Sequence, residues 1–142
     1  MHDAPALVPE LTVTNLGASL RFWCDLLGFE VLYDRPEERF AYLVLGNAHV
    51  MLDQVDIART WQPAPLTPPL GRGINFELSV PDVSLQLRRL RAANWALFME
   101  PEEKWYRVGL AQELGVRQFL VQDPDGYLVR PQMSLGHRTL EH

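Results

Sequence analysis

The chain has 142 residues, 47% of them hydrophobic, enough to build the core of one domain or of two small modules that share a sheet. A formal net charge of −5 argues against a nucleic-acid partner, since phosphate binding asks for a basic face, and is compatible with a cationic ligand. No apolar run is long enough to span a membrane, the opening residues do not read as a signal peptide, and the single cysteine, Cys24, permits no intrachain disulfide, so a reducing cytoplasm is the expected compartment.

Met1 to Leu7 reads as a short arm. Val8 to Thr14 alternates, with Leu11 and Val13 on one face and Glu10 and Thr12 on the other, the pattern of a half-buried strand that carries Pro9 at its start. Asn15 is placed to cap a helix over Leu16 to Leu27. Leu16, Leu20, Trp23 and Leu27 recur on one face of it, and Gly28 ends it. Phe29 to Tyr33 predicts a strand, Asp34 to Arg39 a charged connection, and Phe40 to Leu45 with His49 to Gln54 a hairpin over Gly46-Asn47-Ala48. Residues 8–55 thus read β-α-β-β-β.

Residues 56–73 contain Trp61 and the prolines Pro63, Pro65, Pro68 and Pro69, which remove donors and stiffen the chain, and read as a linker. A second module, 74–135, then begins. Ile74 to Val80 is a strand with Phe76, Leu78 and Val80 on one face. Asp82 caps a helix over Val83 to Ala93 that buries Leu87 and Leu90 and turns its arginines to solvent. Trp95 to Met99 is a strand, and Glu100 to Gly115 is irregular. Phe119 to Val121 and Tyr127 to Val129 flank Asp123-Pro124-Asp125-Gly126, a tight turn in which Pro124 presets φ and Gly126 can take a positive one. Leu140-Glu141-His142 resembles a cloning remnant and is set aside. The two modules repeat in their letters: Leu11-Thr12-Val13-Thr14-Asn15-Leu16 lines up with Leu78-Ser79-Val80-Pro81-Asp82-Val83. The expected fold class is α+β, two βαβββ modules pairing into a curved, cleft-forming mixed sheet with the helices outside.

These segments, with Ser19-Leu20-Arg21-Phe22-Trp23, Leu27-Gly28-Phe29 and Phe119 through Arg130 in the same order and spacing, resemble the vicinal-oxygen-chelate superfamily of glyoxalases, bleomycin resistance proteins and dioxygenases. The resemblance implies a cleft in which enzymes of the family hold a divalent metal with one side chain from each of four strands. Those positions fall on Val8, Met51, Asn75 and Arg130. Valine has no donor atom, methionine suits soft copper, asparagine is a weak ligand, and arginine is a fixed cation. Only His49, of four histidines, lies inside a strand. The resemblance therefore narrows to the metal-free branch, the bleomycin resistance proteins. It implies a homodimeric, non-enzymatic protein without cofactor that sequesters a cationic, aromatic antibiotic in a crevice between subunits. The alternative is a metal-dependent lyase, isomerase or dioxygenase of the same fold.

Alternation nominates Glu10, Thr12, His49, Met51, Asp53, Asn75, Glu77, Leu128, Arg130 and Gln132 as cleft lining, with Arg130 expected to pair with Glu10 or Glu77. Phe40, Tyr42, Trp61, Trp105 and Tyr106 fall outside the obvious core stripes and are candidates to stack on a flat or cationic ligand. The candidate ligand residues are thus Phe40, Tyr42, His49, Met51, Asp53, Trp61, Trp105, Tyr106 and Arg130, with no catalytic and no metal-binding residue.

Overall fold

The computed structural model describes residues 4–58 and 60–140. His2 of the arm, and Glu141 and His142 of the suspected remnant, lie outside them. The chain divides into two compact units. One runs to Leu70 and takes in Asp123–Gly126; the other comprises Gly71–Gln122 and the chain from Tyr127 onward. Each unit carries one four-stranded mixed sheet and one helical segment, an α+β architecture of two βαβββ modules.

In the first unit the sheet order is β1 (Glu10–Val13), β4 (Ala48–Gln54), β3 (Phe40–Leu45), β2 (Glu30–Arg35). β1 runs parallel to β4, and the other pairs are antiparallel. Asn15 caps α1 (Leu16–Leu20) as predicted, its Oδ1 accepting from the Ala18 N–H at 2.9 Å. The predicted helix through Leu27 is present but changes hand-hold partway. Arg21–Leu26 is a π-helical segment, in which the Leu27 N–H reaches back to the Phe22 carbonyl at 3.0 Å. The wider turn lets two consecutive aromatics, Phe22 and Trp23, both be buried, along with Ser19; Leu20, expected on the core face, is only half-buried. Gly28 ends the segment at φ +98°.

In the second unit the order is β5 (Asn75–Ser79), β8 (Leu128–Thr139), β7 (Gln112–Gln122), β6 (Met99–Arg107). Asp82 caps α2 (Val83–Ala92) through the Ser84 N–H at 2.9 Å. Residues 95–98 do not form the predicted strand, of which only Met99 is extended, as the first residue of β6. They are a connection pinned by Trp95 Nε1 on the Gln122 carbonyl and by Phe98 N–H on the Leu120 carbonyl. The segment expected to be irregular is a long hairpin of β6 and β7, and β8 continues past residue 135, the expected end of the module, to pair with the start of β7, which draws in His137.

The turn Asp123–Gly126 connects β7 to β8 yet belongs to the first unit. Asp125 accepts from Thr14 twice, from its N–H at 3.1 Å and its hydroxyl at 2.6 Å. Asp123 accepts from Trp23 Nε1 at 3.2 Å, and the Asp125 carbonyl from Leu70 N–H at 2.8 Å. The two aspartates of the motif are thus buried hydrogen-bond acceptors, which explains residue types that a turn alone would not demand. Among the described residues no helix is long and apolar enough to cross a membrane.

Candidate functional site

Strand register sorts the first sheet into rows across one face. Glu10, Met51, Tyr42 and Tyr33 are successive neighbours, and Thr12, Asp53, Phe40 and Arg35 form the next row. His49 and Val44 follow beyond Met51 and Tyr42. The opposite face carries Leu11, Val13, Leu43, Val50 and Leu52, all buried. The first face is therefore the one left to make a site.

It holds a cleft of about 340 Å³ lined by Glu10, Tyr33, Arg35, Glu38, Phe40, Met51, Asp53, Ala58 and Trp61. Four expected ligand residues, Phe40, Met51, Asp53 and Trp61, meet here. Phe40 and Tyr42 were expected outside the core, but with Val44 they form a buried cluster against which Val8 and Met51 pack. Phe40 remains a wall of the cleft while Tyr42 lies beneath it. Tyr33 stacks on Tyr42 with ring centroids 5.0 Å apart, and the Arg35 guanidinium covers Phe40 at 3.9 Å while its Nε donates to Glu38 at 2.6 Å. His49 is buried and shares a 2.7 Å hydrogen bond between Nδ1 and the Tyr42 hydroxyl, which anchors the cluster rather than the cleft wall. Trp61 is 70% exposed, a ring presented to solvent at the cleft edge.

The electrostatics centre on Glu10 and Asp53, which lie within hydrogen-bonding reach of each other on adjacent strands. Burial, then the Asp53 charge and the hydrogen bond to Asp53, push the Glu10 carboxyl above its ordinary range, against a smaller opposing pull from Arg35. Burial also raises Asp53, assisted by the Glu38 charge, although the hydrogen bond from Glu10 works the other way. Two acids in one cleft resist being charged together, and the Asp53 charge adds to burial in raising Glu10.

The second sheet presents an equivalent face with different chemistry. A shallower cleft of about 500 Å³ is lined by Glu77, Tyr106, Leu114, Val116, Arg130 and Gln132. Glu77 is the acid that Arg130 finds, at 3.1 Å; Arg130 also donates to Asn75 Oδ1 at 3.1 Å and to Gln118 Oε1 at 3.2 Å. Gln118 in turn donates to the Tyr106 hydroxyl at 2.7 Å. Trp105, the other stacking candidate on this strand, does not line the cleft with Tyr106, because neighbours on a strand face opposite sides. Trp105 lies across Gly115, where an added Cβ would come within 2.6 Å of its ring, and beneath the Arg138 guanidinium at 4.2 Å.

The four positions where the fold family implies metal ligands hold an apolar pair, Val8 and Met51, packed on the aromatic cluster, and an amide–guanidinium pair, Asn75 and Arg130. That donor chemistry does not suit a divalent cation. Among the described residues no three His, Cys, Asp or Glu side chains cluster as a metal site. Tyr33, Arg35, Glu38 and Ala58 were not foreseen in the site. Strand register brings the first two in, because they pair with Tyr42 and Phe40 of β3.

A family profile described as the Glyoxalase/Bleomycin resistance protein/Dioxygenase superfamily matches residues 6–130. No match was found among curated proteins. Among solved structures, TioX from Micromonospora sp. ML1 shares 24% identity over 93% of this chain and all (100%) of its own, with a TM-score of 0.71. The virulence protein STM3117 from Salmonella typhimurium shares 18% identity over 94% of this chain and 98% of its own, with a TM-score of 0.67. A glyoxalase/bleomycin resistance protein/dioxygenase superfamily member from Vibrio splendidus 12B01 shares 36% identity over 89% of this chain and 95% of its own, with a TM-score of 0.40.

Proposed function

The chain belongs to the glyoxalase/bleomycin resistance protein/dioxygenase superfamily, a family of enzymes and binding proteins alike, and on that premise we propose that it is a binding protein that works without a metal. Its ligand is a cationic, aromatic small molecule of the bleomycin kind, sequestered by a homodimer. The observation that carries this reading is the first-module cleft, in which Tyr33, Phe40 and Trp61 offer aromatic surface beside the Glu10–Asp53 pair. Aromatic rings attract flat and cationic groups, and a buried carboxylate selects the positive one. The side chains at the family's metal positions support the same reading, since an enzyme of this family would need donors there.

The test is a titration of the protein with metal-free and copper-loaded bleomycin, following tryptophan fluorescence. We expect saturable quenching at sub-micromolar concentration, reduced at least about tenfold in affinity by Trp61→Ala. No response up to high micromolar bleomycin overturns the ligand assignment. A stoichiometric divalent metal in protein purified without chelator overturns the metal-free reading.

A further inference from the structure

The two sheets are built on one repeat, so their clefts can be compared residue by residue. Glu10 on β1 is paired in register with Met51 on β4, and Glu77 on β5 with Arg130 on β8. One step along, Thr12 pairs with Asp53 and Ser79 with Gln132. In the second cleft the glutamate is answered by Arg130 at 3.1 Å, and Gln132 stands where the second acid would be. In the first, methionine replaces the arginine and a second carboxyl, Asp53, is added. Asp53 is only 4% exposed, and its neighbour in the cleft is another acid.

Among the described residues the groups facing the pair are few. From β2 come Tyr33 and Arg35; from the 3₁₀ turn after it, Glu38; from β3, the uncharged Phe40; from the linker, Trp61. Arg35 is held by Glu38 through its Nε and by Phe40 through its face, so its charge is already answered. The Tyr42–His49 pair lies in the deeper cluster.

We propose that Glu10 and Asp53 together seat the protonated amine of an aromatic ligand, whose ring packs between Tyr33, Phe40 and Trp61. This deepens the binding function proposed above and rests on it. An ammonium brings its own donors and so answers both carboxylates at once; a carboxyl that is protonated must first give its proton to solvent. Nothing else is made or broken. Seating the cation therefore competes with protonation, and affinity falls as pH drops into the range where the pair is protonated. The second-module cleft, with Glu77 already paired, does not take an amine.

The test uses the full chain with tryptamine and tryptophol, which differ in an ammonium against a hydroxyl. Calorimetry in two buffers of different ionisation heat reports protons released. Tryptamine should bind at least about tenfold tighter than tryptophol at pH 7. Its binding should weaken as pH falls toward the carboxylate range, and proton release on binding should grow as it does. Glu10→Gln should abolish the release and weaken tryptamine at least about tenfold, while Glu77→Gln leaves both unchanged. Equal binding of the two probes, or no tryptamine binding, overturns the amine seat. Bleomycin quenching that persists in Glu10→Gln would then show that the aromatic cleft binds its ligand without it, so the two readings fail separately.

Discussion

The cleft is held open by residues whose stability and binding roles conflict, and Glu10 and Asp53 show it best. Both carboxyls sit above their ordinary ranges of 4.5 and 3.8 in the folded chain, burial being the leading cause for each. A folded state that binds a proton more tightly than the unfolded one gains from low pH: its stability falls as pH rises from the ordinary carboxylate value through the raised one, and stays lower above it. Glu10→Gln keeps a hydrogen-bond donor for Asp53 and removes the penalty. Its melting temperature should exceed that of the parent at pH 7, and the difference should shrink toward pH 4. A gap that widened toward pH 4 would contradict an upward shift of the Glu10 carboxyl. At this scale the sequence was readable wherever one residue does a local job: Asn15 and Asp82 at helix starts and Gly28 at a helix end all act as expected. It was least readable at Tyr33 and Arg35. Every residue of β2 is exposed, so no hydrophobic alternation marks which way its side chains face.

Elements were legible in proportion to their apolar pattern. The buried β3 and β4 fell within a residue of expectation. The β6 strand did not, because Met99–Arg107 is an edge strand rich in charge that takes its structure from pairing with β7 rather than from a buried face of its own. The π-helical segment was equally hidden. A spacing of four between Leu16 and Leu20 fits an α-helix, and only the packing of Phe22 and Trp23 together reveals the wider turn. The Asp-Pro-Asp-Gly turn was seen, but not its partners. Gly126 has φ +102°, and an added Cβ would lie 2.5 Å from Pro69 Cβ and 2.8 Å from Pro69 Cα, so both conformation and space exclude a side chain. Gly73 has φ +87° with nothing within 4 Å of an added Cβ, so it isolates the conformational cost. In urea denaturation Gly73→Ala should cost about 1 kcal/mol and Gly126→Ala at least about 2 kcal/mol more. Equal losses would mean that the turn does not pack on Pro69 as described.

At the scale of the whole molecule the repeat is the deciding fact, because the same scaffold carries two clefts whose chemistry has diverged. The difference is concentrated in one register position, Met51 in the first module and Arg130 in the second, each beside a glutamate on the neighbouring strand. If that position sets whether a cleft accepts a cation, exchanging the residues should exchange the behaviour. Met51→Arg places a guanidinium against Glu10, reproducing the Glu77–Arg130 pair, and should remove tryptamine binding. Arg130→Met frees Glu77 from the guanidinium, leaving it the Gln132 Nε2 donor at 3.3 Å, and should add a second, weaker site per chain. It is weaker because Gln132 stands where Asp53 supplies the second carboxyl. Met51 packs against the buried Phe40–Tyr42–Val44 cluster, so Met51→Leu serves as the control that preserves the apolar contact without the charge, and it should bind as the parent does. Arg130→Met changes a side chain that is 27% exposed, and its effect is read as stoichiometry rather than as loss, which unfolding cannot imitate. Calorimetric titration of the three variants decides the matter. One site in the parent and in Met51→Leu, none in Met51→Arg and two in Arg130→Met would establish that a single pairing decides which half of the repeat binds. One unchanged site in Arg130→Met would show that the second cleft is closed to amines by more than its arginine.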